Sequence, residues 1–544
     1  MRAIEVDLTA NEVYERILDS EFFGGKGVAV NLMLDEIKKG IDPLSPDNLL
    51  IFATGPLNGI NLSGASRATC HFKSPMTGGY GESQCGGYIA YEMKKTGVDF
   101  LMIKGKAERP VYILVENGEV KIISAEKLWG KDSYKVEDYL REKHGGEILS
   151  IGQAGENLVR FACINHRRGR QFGRGGGGAV MGSKNLKAVV FRGNRRKIDV
   201  ANPEELREFR KWLNGKVKKT HRSLTVYGTS GMMSLVNELG VLPTRYWQKG
   251  RFDGAERMSG EEIKKYFVKS TACYGCSVAC GKLARVGNCE TEIEYETLFA
   301  LGALCENENV EDLIRAAELC DRYGMDTISA GNVIAFWMAN GRAEFGNSSE
   351  VIRLVEKIAF RRDEGNILAE GVKRAGEVLG SEVEAIHIKG LEPAGYDPRG
   401  LYGMAIGYAT SPRGACHMRS CAYRPNLTGH LNRLSIQGQA EMVKDYEDFY
   451  AVIDSMVYCR FLCLPVIGPV YWEELSKLYG IVTGEKKDVD EFKEVGERIN
   501  DLAREFNIRE GVTDYYLPKT FVEAIGKENL DKMIGEYLRL RGWR

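Results

Sequence analysis

Hydrophobic and polar positions follow two regimes along this chain. Up to about residue 195, apolar residues alternate with polar ones or form short blocks. Ile4 to Leu8 alternates, Leu49 to Thr54 is apolar, and Tyr112 to Ile123 reads as a hairpin. Its turn is Asn117-Gly118, a pair that tolerates the positive φ a two-residue loop needs. Beyond Arg195-Arg196-Lys197 and Asn202-Pro203 the period lengthens towards 3.6. Proline is well suited to the first helical position, so a helix opens at Pro203-Glu204. Amphipathic spacing predicts helices over 204–218, 260–267, 310–323, 326–340, 350–360, 366–379, 445–459 and 487–506, with few strand signals between them. No repeat recurs at a fixed period. The pattern predicts an α+β protein in which a β-rich N-terminal domain, residues 1–197, precedes two mainly α-helical domains, 198–393 and 394–544.

Composition narrows the class of partner. At 544 residues the chain is long enough for several domains. Lys plus Arg and Asp plus Glu each number 75, so no net field draws it to nucleic acid or an acidic membrane, and a small ligand is expected. The charged start MRAIEVDLTANE leaves no apolar core for a secretory signal. The longest apolar stretch, Phe461 to Trp472, is short for a bilayer and is broken by Pro465 and Pro469. A cytoplasmic protein without membrane contact is expected.

The 13 cysteines change the picture, because a reducing compartment favours reading clustered thiols as metal ligands. Cys273-Tyr-Gly-Cys276-Ser-Val-Ala-Cys280 can wrap one pole of an iron–sulfur cluster, leaving a fourth ligand to come from elsewhere. A zinc site completed by Cys289 is the structural alternative. Most of the other cysteines read as small buried hydrophobes.

Glycine runs mark close approaches of the backbone. In Gly173 to Lys184 the glycines free N–H groups for an anion, and Arg174 and Lys184 supply charge. A tight β-turn explains the same run equally well. It is no P-loop and lacks the strand–turn–helix context of a dinucleotide site, since it runs into the strand-like Leu186 to Phe191. Ser66-Arg67, Lys73 to Gly81 and Gln84 to Gly87 repeat the combination of glycine and cation. Further on, Gly324 should end a helix and Asp326 cap the next, whereas Asp321 sits in a last turn that disfavours an anion. In a continuous helix Asp454 and Cys459 would point about 140° apart.

Taken in order, these motifs resemble the tungsten-containing aldehyde ferredoxin oxidoreductase family over essentially the whole chain. That family follows an Arg-and-Gly cradle with Cys-x2-Cys-x3-Cys, then Asp-x2-Gly-x-Asp, then Asp-x4-Cys. The resemblance implies a [4Fe–4S] cluster on Cys273, Cys276, Cys280 and Cys459, with Cys463 as the fallback fourth ligand. It implies tungsten or molybdenum carried by two pterins. Arg67, Gln84, Gly86, Arg174, Gly175, Gly177 and Gly178 would contact them on one side, and Asp321, Asp326 and Asp454 on the other, with Arg460 among the cofactor contacts. The phosphates want arginine and backbone N–H groups, and the donor-rich pterin edge wants carboxylates. Mg bridging the pterin phosphates and a homodimer are further options it brings. Gln84-Cys85 departs from the more familiar Asn-Ser.

By the same resemblance the chain oxidises an aldehyde to a carboxylic acid, is oxygen-sensitive, and passes electrons to ferredoxin or a ferredoxin-like subunit. Glu296 would be the general base, with Glu294 its rival, and His417 and Tyr396 would donate hydrogen bonds to the carbonyl oxygen. The run Glu290, Glu292, Glu294, Glu296 reads on its own as a solvated strand face, and His417 on its own as a structural histidine. Two alternatives stand beside this one. A related tungstopterin subunit reduces an aromatic acyl-CoA; residues 281–300 hold no histidine, so no second imidazole is expected near Glu296. The other is a non-enzymatic iron–sulfur electron carrier.

Overall fold

The computed structural model describes residues 1–195 and 198–543, so the expected boundary at 197 lies outside the described residues. Six strands, β1 (Arg2–Asp7), β2 (Glu12–Ile17), β3 (Leu50–Ala53), β4 (Ala68–Lys73), β5 (Tyr80–Cys85) and β6 (Phe100–Lys104), form one sheet in the order β2-β1-β6-β3-β4-β5. The second sheet is built from β7 (Val111–Glu116), β8 (Glu119–Ser124), β9 (Glu147–Ser150), β10 (Ile164–His166), β11 (Arg170–Phe172) and β12 (Leu186–Arg192), in the order β11-β10-β9-β12-β7-β8. Asn117 and Gly118 both take positive φ, as the β7–β8 turn requires.

Strand alternation explains the layering. Leu101 and Ile103 of β6, and Val189 and Phe191 of β12, enter one shared core between the sheets, where Phe52 meets Phe172 edge-on at 5.6 Å. Their neighbours face outward on each side. Phe100 and Met102 pack under the helix Gly25–Glu36, and Ala188 and Val190 under the helix Ser133–His144.

The remainder is mainly helical. Gly324, at φ 76°, ends Val310–Tyr323, and Asp326 caps Thr327–Ala339 by accepting from the Ile328 N–H at 3.0 Å. Three expected helices come out differently. The stretch 260–267 gives one turn, Gly260–Ile263, and then the strand β13 (Phe267–Thr271), which joins β14 (Gly281–Val286) and β15 (Cys289–Glu292) in a sheet that the spacing signalled only at the alternating run from Glu290. The stretch 366–379 breaks at Gly371, φ 84°, into Gly365–Leu368 and Val372–Leu379. The third starts earlier, as Gln439–Met456, and stops at Val457 in the left-handed region, so Cys459 lies beyond the helix and the 140° projection does not apply. The end of that helix presses on the first region: a Cβ on Gly25 would lie 2.4 Å from Asp454 O, so the pair Gly24-Gly25 permits the approach. No described helix is long and apolar enough to cross a membrane.

Candidate functional site

A cavity of about 370 Å³ opens where loops of the first sheet meet residues 273–280 and 396–464. Cys273, Cys276, Cys280 and Cys459 all reach its wall. Loops of the β-rich region bring them there. Gly87 N–H donates to Cys273 Sγ (3.1 Å) and Tyr274 N–H to Gly87 O (3.1 Å), while Ser277 N–H donates to Ser63 Oγ (2.9 Å) and Cys459 N–H to Gly64 O (3.0 Å). A Cβ on Gly86 would lie 2.9 Å from Cys273 Sγ, so glycine permits this approach. Burial and neighbouring thiols push Cys276 up to about 11 and Cys280 higher still. Such a set suits a cationic iron core, which would stabilise the thiolates. Cys463 is buried and absent from the wall. Cys289 lies on β15 and hydrogen-bonds Glu318, so it does not complete a zinc site with the other three. Among the described residues no three His, Cys, Asp or Glu converge on a single ion.

Beside the thiols the wall is cationic: its described residues include seven arginines and three carboxylates. Arg67 hydrogen-bonds Gln84, and Gln84 in turn donates to Asp454. Burial opposes ionisation of Asp454, but Arg460 and Arg419 outweigh it and hold the carboxyl well below its ordinary range. Arg413 Nε, Arg419 Nε and Arg460 Nη1 are buried without an acceptor. Buried donors of this kind fit the phosphates of an anionic cofactor. Arg174 lines the wall, with its donors taken by Asp326 Oδ2 (3.0 Å), Ala415 O (2.8 Å) and Glu392 O (2.6 Å).

Several expected contacts lie elsewhere. Gly175, Gly177 and Gly178 do not reach the wall. A Cβ on Gly177 would meet Phe72 at 2.8 Å and one on Gly178 would meet Cys163 O at 2.4 Å, so these two glycines serve packing inside the protein. The block follows β11 and opens a short helix, Gly177–Ser183, so a strand–turn–helix context does exist, on a sheet-edge strand. Lys184 is buried against Pro46 O (2.9 Å), and Lys73 pairs with Glu510; neither lines the cavity. Asp326 lines it, but Asp321 and Asp454 do not. Asp321 accepts from Gln171 and Thr291, and burial raises its pKa well above the ordinary carboxylate range, so a structural task accounts for its place in the last turn.

Glu296 sits in the first turn of the helix Tyr295–Leu301 and faces the cavity. Its Oε2 accepts from Gly395 N–H (2.9 Å), and its buried Oε1 has no hydrogen-bond donor but lies 3.5 Å from His417 Nε2. Burial pushes Glu296 up to about 8 and, aided by Arg174, Arg413 and Arg460, His417 well below its ordinary value. At neutral pH the pair is therefore a carboxylic acid beside a neutral imidazole. Tyr396 stacks on Tyr423 at 4.0 Å and stands 5.5 Å from the His417 ring. The acidic run is no solvated face throughout. Glu292 pairs with Arg170 (3.2 Å), Glu296 is half-buried in a helix, and Glu294 is exposed at the rim.

Comparison with known proteins decides the kinship. Residues 3–193 match the family model of the aldehyde ferredoxin oxidoreductase N-terminal domain, and residues 204–544 match that of its domains 2 and 3. The chain belongs to the aldehyde ferredoxin oxidoreductase family. It is 35% identical to the tungsten-containing aldehyde ferredoxin oxidoreductase of Pyrococcus horikoshii, over 100% of this chain and 96% of that one. It is 29% identical to the WOR-like subunit of an aliphatic sulfonate oxidoreductase of Pyrococcus furiosus, over 95% and 87%. Among solved structures, the active-site complex BamBC of benzoyl coenzyme A reductase with 1,5-dienoyl-CoA shares the fold, with a TM-score of 0.87, 24% identity and coverage of 100% and 94%. This chain is thus a member of an oxidoreductase family that includes tungsten-containing enzymes.

Some wall residues of this family member carry little sequence signal. Arg413 and Arg419 stand in the same Pro/Gly-rich stretch as His417, and that neighbourhood could have pointed to them. Arg170, Arg424, Tyr295, Tyr423 and His221 reach the cavity only through the fold. His221 adds a second imidazole to the cavity wall, with no contact to Glu296 among the described residues. Its nitrogens are engaged by Thr220 Oγ1 (2.7 Å) and Phe461 O (2.6 Å).

Proposed function

We propose that this family member oxidises aldehydes to carboxylic acids, with water as the oxygen source, and passes the electrons through a [4Fe–4S] cluster on Cys273, Cys276, Cys280 and Cys459 to ferredoxin or a ferredoxin-like subunit. The observation that supports it best is the Glu296–His417 pair, 3.5 Å apart in the cavity that also gathers the four thiols. A bound tungsten bis-pterin supplies a two-electron acceptor, and the cluster a one-electron relay.

The residues divide the remaining work. Arg413, Arg419 and Arg460 would offer buried donors to the pterin phosphates, with Arg67, Gln84 and Gly86 on the same wall, and Asp326 would supply a carboxylate to the pterin's donor groups. Arg174 anchors Asp326, and Asp454 orients Arg419, Arg460 and Gln84 from behind. Aldehyde plus water gives acid, two protons and two electrons. Glu296 Oε1, once ionised, takes the proton of the attacking water, while Gly395 N–H holds its other oxygen. Neutral His417 and Tyr396 offer hydrogen bonds to the carbonyl oxygen as charge builds there.

Anaerobic purification with metal and pterin analysis, followed by viologen reduction with benzaldehyde or acetaldehyde, tests the reading. Iron and tungsten in a ratio of about four to one, with aldehyde-dependent dye reduction, are expected. Stoichiometric zinc alone, or a fully metallated protein inert to every aldehyde, would overturn it.

A further inference from the structure

Arg424, in the short helix Tyr423–Leu427, lines the cavity without an anionic partner. Its Nη1 reaches only Met232 Sδ, at 3.2 Å, a weak acceptor, and its Nε is buried with no acceptor at all. Four of the other wall arginines have a carboxylate partner, and Arg67 and Arg413 meet only neutral acceptors on the wall assigned above to the pterin phosphates. Arg170 pairs with Glu292, Arg174 with Asp326, and Arg419 and Arg460 with Asp454, while Arg67 and Arg413 reach Gln84 and Glu82 O. No carboxylate among the described residues pairs with Arg424.

Its titratable neighbours do not compensate the charge. Burial raises Tyr396 and Tyr423 and lowers His221, so all three are neutral at physiological pH. On this half-buried side chain Nε has lost hydration without gaining an acceptor, and the charge has no counter-charge beside it. Arg424 follows Tyr423, whose ring centre lies 6.0 Å from that of His417, and both line the cavity that holds Glu296. A short molecule can therefore present one end to the reacting pair and the other to the cation.

We propose that Arg424 binds a carboxylate at the far end of the substrate, so that oxo-acids, aldehydes carrying a carboxylate, are the preferred substrate class. This inference rests on the aldehyde-oxidising reading. It assigns Arg424 to specificity and leaves the proton work to Glu296.

The test uses the anaerobic, metallated enzyme and reads the ratio of kcat/KM for 4-carboxybenzaldehyde over benzaldehyde, together with calorimetric binding of terephthalate. The native enzyme is expected to favour the carboxylated aldehyde. Arg424→Gln should lower the ratio on the order of 10²-fold and weaken terephthalate binding to a similar extent. Arg424→Lys, which keeps the charge but not the fork, should fall between the two, and it carries the test if the glutamine variant does not fold. A ratio that is unchanged by both substitutions while benzaldehyde is oxidised would overturn the inference and leave the aldehyde reading standing. Arg424-dependent terephthalate binding in an enzyme that oxidises neither aldehyde would uphold the anion site and overturn the reaction.

Discussion

His417 Nε2 lies 3.5 Å from Glu296 Oε1, and the acidic proton of the pair sits on the carboxyl rather than on the imidazole. Burial sets this order, since it penalises the charged form of each group. If Glu296 is the general base, Glu296→Gln keeps the Gly395 hydrogen bond and the metals while turnover falls by about 10²–10⁴-fold. Glu294→Gln, at an exposed rim position, should cost far less. Equal losses in metal-loaded variants would leave the base unassigned.

The same raised carboxyl predicts two pH effects. Activity should climb as pH passes through about 8, and this limb should vanish in Glu296→Gln. Between its ordinary 4.5 and about 8, Glu296 holds its proton in the folded state and has lost it in the unfolded state. Its contribution to stability is therefore full below about 4.5 and is lost as pH rises through about 8. Thermal unfolding should show Glu296→Gln gaining on the native protein at the alkaline end of that window. Parallel curves would contradict the assigned shift.

Cys459 and Cys463 separate by placement. Cys459→Ser should lower iron content and alter the reduced-cluster EPR signal while leaving the pterin in place, because Cys459 alone of the two reaches the cavity. Cys463→Ser should keep the cluster. The reverse outcome would exchange their roles.

Gly86→Ala probes the cradle from the opposite side. Gly86 is not among the glycines at positive φ, so alanine suits its backbone, but the new Cβ would stand 2.9 Å from Cys273 Sγ. Iron content per chain should drop while far-UV circular dichroism stays native. Normal iron loading would show that the loop yields.

Gly25→Ala should destabilise the protein as a whole. A Cβ there would lie 2.4 Å from Asp454 O, at a φ of 35° that side chains rarely take, so a cost of about 3 kcal/mol or more is expected in denaturant unfolding. Full native stability would mean that the Gln439–Met456 helix can shift away from it.

What the sequence by itself determined was local. The Asn117-Gly118 turn, the Gly324 stop, the Asp326 cap and the thiol spacing of Cys273, Cys276 and Cys280 depend on residues a few positions apart, so their chemistry is legible in one dimension. Only the tertiary structure decided which groups share the cavity. Val457 in the left-handed region turns the chain between Asp454 and Cys459, placing the thiol on the wall and the carboxylate behind it. Phe72 and the backbone at Cys163 fill the space that Gly177 and Gly178 leave, which the glycine run could not reveal. Arg170, Arg413, Arg419 and Arg424 became neighbours of one site because elements distant in the chain pack together. The direction a side chain faces is set by the surface buried against it, and that surface comes from elsewhere in the sequence.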